Sequence, residues 1–483
     1  MKSVKRNAIL NVIKQGCTIL FPLITLPYVT RVLGKDGLGK YSFASSVTGY
    51  FVLIAALGIQ TYAVREGAPI RDSKEKIETF GSQVFSINVW SSLVAYILLA
   101  ILLMISSKIR AYMPFILIQS SAIILALLGA EWINSIYEDF LYITIRYISI
   151  QCICLVLTFL LVKNHEDLLL YTTIVVFAAN GGYLVNLFYR RKYCKLHLTT
   201  KMEPKKHLPP MLFLLVNALA IMIYVNSDIT MLGFYYDDDV VGVYSFAARI
   251  YNMVKSMIAA AIAVALPRVA YIKANEKSRY DSFIRKIFST MTMFAFPMIA
   301  GLACLSKEII YVVGGEEYLT GTTSLIILSA AIIFALYAGI VTNCVLVVNG
   351  QEKICMISTL ITAGVNVLLN LILIPLFGIE AAAITTVVAE ILNMLIQAII
   401  GFVKYPVRNI VSLKWITYLG GTVLVALICR GTVYFMPHET VWQTGLMILC
   451  AMVVSVIVYI CLLLLTKNED FRNLLKGFGR SKK

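Results

Sequence analysis

Apolar runs long enough to cross the roughly 30 Å hydrocarbon core of a bilayer, at about 20 residues each, recur from one end of this chain to the other. Fourteen can be read, at 8 to 30, 38 to 62, 81 to 106, 111 to 133, 140 to 162, 167 to 189, 208 to 233, 240 to 266, 281 to 304, 322 to 348, 354 to 376, 379 to 403, 413 to 436 and 440 to 466. Hydrocarbon offers no water to backbone N–H and C=O groups, so a crossing segment must be a helix or a strand of a closed barrel. These runs are continuous and of helical length, not alternating segments of about ten residues, which predicts an all-α polytopic membrane protein. Composition agrees: of 483 residues, 59% are hydrophobic and 14% charged, more apolar surface than a water-soluble core could hide. Lys14 and Gln15 interrupt the first run and no small-residue cleavage site follows, so it is read as span one and not as a removable leader. The ten cysteines fall mostly inside spans, with no Cys-x-x-Cys, and are read as small apolar packing residues.

The net charge of +16 is read as topology. With the amino terminus in the cytoplasm, 30 of the 42 Lys and Arg lie on the cytoplasmic side, 8 on the other, and 4 inside spans. That imbalance predicts two cytoplasmic termini. The connection after span four, with Glu131, Glu138 and Asp139, is the acidic exception, and carboxylates weigh little in this rule. A basic pI here implies attraction to anionic membrane lipids and not to nucleic acid, since no basic segment is interleaved with aromatics on a soluble module.

One corner is written twice. "LGKDGLGKYSFA" begins at Leu33 and "LGFYYDDDVVGVYSFA" at Leu232; each follows one span, precedes another, and is succeeded by Pro and Arg at the next exit (Arg65 and Pro69; Pro267 and Arg268). Spans one to six then correspond to spans seven to twelve. Six is even, so both halves enter from the same side, as parallel repeats about an axis along the membrane normal with a substrate site between them. The chain divides into an N-terminal six-helix lobe with its basic linker (1–205), a C-terminal six-helix lobe (206–405), two additional spans (406–466) and a basic cytoplasmic tail (467–483).

This arrangement, with "LPYVTRVLGKDGLGKYSFA", "NSDITMLGF" (226 to 234) and "GIEAAAITTVVAEILN" (378 to 393), resembles the polysaccharide-exporter branch of the multidrug/oligosaccharidyl-lipid/polysaccharide exporter superfamily, most closely the Wzx-type repeat-unit flippases. The resemblance covers about residues 5 to 400. It implies a V-shaped pair of six-helix bundles that alternate access. It also implies transport of an undecaprenyl-diphosphate-linked oligosaccharide, of O-antigen, capsule or exopolysaccharide type, to the outer leaflet of a bacterial plasma membrane. Polysaccharide polymerase machinery is then a partner, and no cofactor is expected beyond a coupling H⁺ or Na⁺.

An ionised side chain near the bilayer centre costs about 2.5 to 3.5 kcal/mol on insertion scales, so each one calls for a cavity or a partner. Arg249 lies about 13 Å into span eight and shares a helical face with Ser245, Asn252 and Ser256. The matching position in the first copy is Ser46, beside Ser42, Ser45 and Gly49. A planar guanidinium matches phosphate oxygens, so Arg249 is either a substrate contact or one half of an internal ion pair. Lys255 is also deep and points about 60° or more from the centre of that face; it is a further candidate for the cationic cavity or, equally, a cation with a structural partner. Lys14 stands in a stripe with Asn7, Asn11, Thr18 and Thr25, and is either a cavity cation or a snorkeling anchor; Arg146 in span five is read as a snorkeling anchor. Glu390 shares a stripe with Thr386, Asn393 and Gln397, and Asp228 lies near the outer end of span seven. Either carboxylate is a candidate to exchange H⁺ or Na⁺, while Glu390 paired with Lys255 would simply lock two helices. Asn366 and Asn370 are read as hydrogen-bonding glue between helices, and Pro22, Pro27, Pro297 and Pro375 as bends.

No Walker loop, His-Glu-x-x-His or Gly-x-Ser-x-Gly is present, and the four histidines, His165, His197, His207 and His438, are all placed in loops. The expectation is therefore a transporter and not an enzyme. A multidrug antiporter ranks lower because the charges deep in the spans are mostly positive. An integral-membrane glycosyltransferase or polymerase has only the acids at 131 to 139 to build on.

Overall fold

Two glycines turn the chain where helices would otherwise run on. The computed structural model describes residues 4–407 and 409–480. In it the helix Val4–Ala56 is broken at Gly34 (φ 65, ψ −179) and the helix Glu352–Lys404 at Gly378 (φ 60, ψ −134). A positive φ is open to glycine and strained for a residue with a Cβ, so a span ends and the next begins without a loop. Both glycines fall in the stretches quoted above. The second copy of the corner is built differently: the helix Pro204–Tyr235 continues through Gly233 and ends at the extended Tyr236, before the helix Asp238–Asn275.

Among the described residues eleven helices are long and apolar enough to cross a membrane, from Ile13–Ile70 to Val441–Leu465, and Met113–Gly129 is a shorter apolar one. There is no strand among the described residues. The protein is a multi-pass, all-helical membrane protein. The chain packs as two compact units, Met1–Gly242 and Val243–Lys483.

In the first unit the helix Val4–Ala56 is central, touching Lys74–Ile105, Met113–Gly129, Phe140–Leu161 and Pro204–Tyr235. One core gathers Leu57, Tyr62, Phe80, Trp132, Ile136, Cys194 and Met211, which ties the linker and the start of span seven onto spans two to four. The two copies of the repeated corner also meet inside this unit. A Cβ placed on Gly39 would fall on the carbonyl of Asp238, and one placed on Gly242 would fall on the carbonyl of Lys35. Each glycine meets the residue four before its counterpart, the reciprocity of a local two-fold. Lys35 Nζ to Asp239 Oδ2 at 2.9 Å and Tyr112 Oη donating to Asp238 Oδ1 at 2.6 Å close the junction.

In the second unit Lys277–Cys304 packs on Thr322–Ile340 and on Lys414–Phe435, which in turn lies against Val441–Leu465. The last two spans share a core with span nine through Met293, Leu305, Tyr418, Cys429, Met447 and Tyr459. Span ten loosens into a π-helical stretch, Val341–Leu346, whose Cys344 carbonyl accepts from Tyr280 Oη at 2.8 Å. Such stretches free carbonyls for outside partners.

Candidate functional site

The first unit builds a three-residue charge cluster from three separate spans, and its centre is an acid from a chain break. The helix Met113–Gly129 ends at Ala130, which adopts the left-handed conformation (φ 44). That conformation costs a residue with a Cβ about 1–2 kcal/mol. It is held by side chains that take the carbonyls a helix end leaves open: Asn186 Nδ2 donates to Gly129 O at 2.8 Å and Arg190 Nε to Leu128 O at 3.2 Å. The reversal turns Glu131 back into the bundle. One carboxylate oxygen accepts from Lys14 Nζ at 3.2 Å, and the other from Arg146 Nη2.

Arg146 is only 8% exposed, so it does not snorkel to an interface as its shallow depth suggested. Counting residues from the membrane edge gives depth and says nothing of neighbours. Its guanidinium lies 5.2 Å from the Tyr142 ring centre and 5.9 Å from that of Tyr183, and Lys14 lies 5.6 Å from Tyr147. Gly182, at the break between Leu168–Asn180 and Gly182–Tyr189, makes the room: a Cβ there would stand 2.8 Å from Arg146 Nε. Two cations share one anion, so the cluster keeps one positive charge.

The second unit builds a pair of the opposite kind. Glu390, 2% exposed on span twelve, accepts at Oε1 from Lys255 Nζ at 2.5 Å and from Tyr251 Oη at 2.8 Å. Tyr251 and Lys255 are one turn apart on the same helix, so span eight grips span twelve with two donors. Lys255 diverges from the Arg249 face because it faces span twelve. The stripe predicted through Glu390 continues as a buried polar seam: Gln397 Nε2 donates to Asn393 Oδ1 at 3.0 Å and to Ser358 Oγ at 2.9 Å, and Thr342, in the π-helical stretch, donates to Gln397 Oε1. Asn370 Nδ2 donates to Asn366 Oδ1 at 3.2 Å and itself accepts from Thr385, which fastens span eleven to span twelve across the Gly378 corner.

The remaining candidates stand apart from these clusters in kind. Arg249 and Asn252 are half-buried on the helix Asp238–Asn275. Ser46 is buried and donates to the Phe43 carbonyl at 2.8 Å. Asp228 is buried, with the Ser227 hydroxyl 3.4 Å from its Oδ1. The side chains of Asn7 and Asn11 lie outside the described residues. Among the described residues no group of His, Cys, Asp and Glu is arranged to hold a metal.

His207 is not a loop residue. It lies in the first turn of Pro204–Tyr235, fully buried, with Tyr62 Oη 2.6 Å from Nδ1 and Gln83 Oε1 3.1 Å from Nε2. Gln83 Nε2 in turn donates to Lys201 O at 3.0 Å and Glu203 Oε1 at 3.1 Å, which pins the linker to spans two and three. Pro204 opens this helix, a position that suits proline, and Pro209 and Pro210 follow inside it. Nearby, Tyr193 and Tyr189 donate to Asp139 at 2.7 and 2.8 Å, and Lys192 stands 3.6 Å from it. Burial, and then the bond to that carboxylate, hold the Tyr193 phenol well above its usual range, so it remains a donor.

Comparison with known proteins places the chain. Residues 4–273 match the polysaccharide biosynthesis protein family, and residues 149–454 match the lipid II flippase MurJ family. A Shigella dysenteriae protein named "Putative O-antigen transporter" is 24% identical over 400 residues, covering 81% of this chain and 98% of that one. The "Probable low-salt glycan biosynthesis flippase Agl15" of Haloferax volcanii is 23% identical over 266 residues, 54% of this chain and 55% of its own. Among solved structures, the lipid II flippase MurJ in an inward closed conformation aligns with a TM-score of 0.75 over 97% of this chain and 99% of that one, at 16% identity, a likeness of fold. Each family match spans more than half of the sequence, and together they run from the first spans into the last. The chain belongs to the polysaccharide biosynthesis protein family, among the Wzx-type flippases of the multidrug/oligosaccharidyl-lipid/polysaccharide exporter superfamily.

Proposed function

We propose that this protein carries a lipid-linked oligosaccharide across the bacterial plasma membrane, from the cytoplasmic to the outer leaflet, with undecaprenyl diphosphate as the lipid. It is a carrier and not a catalyst. The observation that supports an anionic cargo best is the sharing of one carboxylate, Glu131, by Lys14 and Arg146, which leaves positive charge inside the first unit. An uncompensated charge in that setting is expensive, and an anion that visits it lowers the cost. Arg249, half-buried on span eight, is the candidate phosphate contact in the second unit. Polar side chains such as Asn252 and Asn393 suit hydroxyl-rich sugars.

Four finer points belong to the same reading. Both termini are cytoplasmic, from the distribution of Lys and Arg. Anionic lipids gather at the basic linker and tail. Exchange of H⁺ or Na⁺ at Glu390 or Asp228 drives the cycle, and the carrier hands its cargo to polymerase machinery on the outer face. Arg249→Ala is expected to abolish complementation of a flippase-null strain at unchanged protein level. Full activity with uncharged residues at both 249 and 14 would overturn the anionic-cargo reading.

A further inference from the structure

Arg146 has more hydrogen-bonding capacity than the fold uses. Its Nη2 is taken by Glu131, but its Nε and Nη1 have no hydrogen-bond partner among the described residues, although the side chain is more than nine-tenths buried. The buried Tyr142 hydroxyl is near enough to interact with the guanidinium, but short of the geometry of a full hydrogen bond. Buried donors are nearly always satisfied, and leaving one without a partner is costly, more so when it is charged. Two such donors on one guanidinium call for an explanation that the resting contacts do not supply.

The guanidinium's geometry suggests one. It offers two two-pronged faces, Nε with Nη2 and Nη1 with Nη2. Nη2 belongs to both faces and points one N–H toward each, and Glu131 takes one of the two. An anion that binds bidentately on the face Glu131 occupies displaces it, and Lys14, 26% exposed and bonded to the other oxygen of the same carboxylate, is then released to the same newcomer. The rings of Tyr142, Tyr183 and Tyr147 hold both cations in place.

We propose that Lys14, Glu131 and Arg146 form an anion-receiving site in the first unit, in which Glu131 is a resident stand-in for a phosphate group. The ligand class is a phosphate or diphosphate ester. The assignment of that phosphate to the lipid carrier rests on the function proposed above. No covalent step is involved: one oxyanion replaces another on the same two cations.

The test uses the full chain in lipid nanodiscs, with two probes: inorganic pyrophosphate in solution and undecaprenyl diphosphate in the disc. Arg146→Gln is expected to weaken binding about thirtyfold, in line with loss of charge-assisted hydrogen bonds, and Arg146→Lys less. Glu131→Gln is expected to tighten it about tenfold, because the competitor is gone. A merely structural ion pair predicts the opposite sign for Glu131→Gln, weakening along with Arg146→Gln, and that outcome would overturn the site. The double change Arg146→Met with Glu131→Leu leaves no buried charge uncompensated between them, so it should fold and melt like the parent while still failing to bind; undiminished binding by it would also overturn the site. The pattern in either probe supports anion reception, and the probe that shows it identifies the source. Flipping of a fluorescent undecaprenyl-diphosphate sugar by the parent protein is read in parallel. Absence of flipping with the binding pattern intact removes the flippase reading and keeps the site; flipping that is indifferent to all these changes removes the site and keeps the flippase.

Discussion

Two inward-turned carboxylates, Glu390 with 2% and Glu131 with 15% of its side chain exposed, sit in opposite electrostatic settings. Glu390 accepts at one oxygen from one cation and one phenol of a single helix, one acid to one base. Glu131 bridges two cations from two different helices, one oxygen each, and one of those cations retains unpartnered donors. The first arrangement is complete as it stands and ties spans eight and twelve together. The second is over-supplied with positive charge and can exchange its anion. Burial alone therefore does not distinguish a lock from a binding site; the balance of donors and acceptors does.

The comparison breaks most visibly if a lock loses its cation. Lys255→Leu leaves the 2%-exposed Glu390 without a counter-charge and is expected to destabilise the protein by about 3–5 kcal/mol, read as a lowered unfolding midpoint in detergent. Lys255→Leu with Glu390→Leu should recover most of that loss. If the double variant is stable and still transports, Glu390 is a lock only. If it is stable and transport no longer responds to an H⁺ or Na⁺ gradient, Glu390 couples. A Lys255→Leu protein as stable as the parent would show that the pair is not closed as described.

A smaller effect is expected at the over-supplied site. Glu131→Leu strands Arg146, yet Lys14 can turn to water and the tyrosine faces still stabilise the guanidinium. The expected loss is about 2 kcal/mol, measured the same way, and it should stay below that of Lys255→Leu. The reverse order would mean that Glu131, not Glu390, is the structural keystone.

How much of this was legible in the sequence follows from which forces act locally. Spans are visible because hydrocarbon forces the backbone into self-satisfied helices, and the corners at Gly34 and Gly378 are visible as glycines inside repeated or matching stretches. The seam through Glu390, Asn393 and Gln397 is visible because helical periodicity puts them on one face. In sequence Glu131 looks like a loop acid, because the turn that points it inward is made by Ala130, a residue carrying no turn signal, held by Asn186 and Arg190 from far along the chain. Arg146 looks like an interfacial anchor for the same reason: the partner and the glycine that accommodate it are tertiary facts. The reciprocal contact of Gly39 and Gly242 lies between these cases, since the repeat announces two similar corners and only the fold brings them together.

The finest test of the comparison changes no charge. At Gly182 an added methyl would stand 2.8 Å from Arg146 Nε, so Gly182→Ala must move the guanidinium by a few tenths of an ångström or more. Helix propensity favours alanine by about 1 kcal/mol, and the crowding opposes it, so the net change in stability is expected to be within about 1 kcal/mol. Bidentate anion binding depends on the placement of Nη2 and its neighbour nitrogen, and is more sensitive than stability to such a shift. Gly182→Ala should therefore reduce pyrophosphate binding about threefold or more with little change in melting, and leave the Lys255–Glu390 pair untouched. A change in melting without a change in binding would mean that Gly182 serves helix packing alone and that the position of Arg146 is not what the site selects.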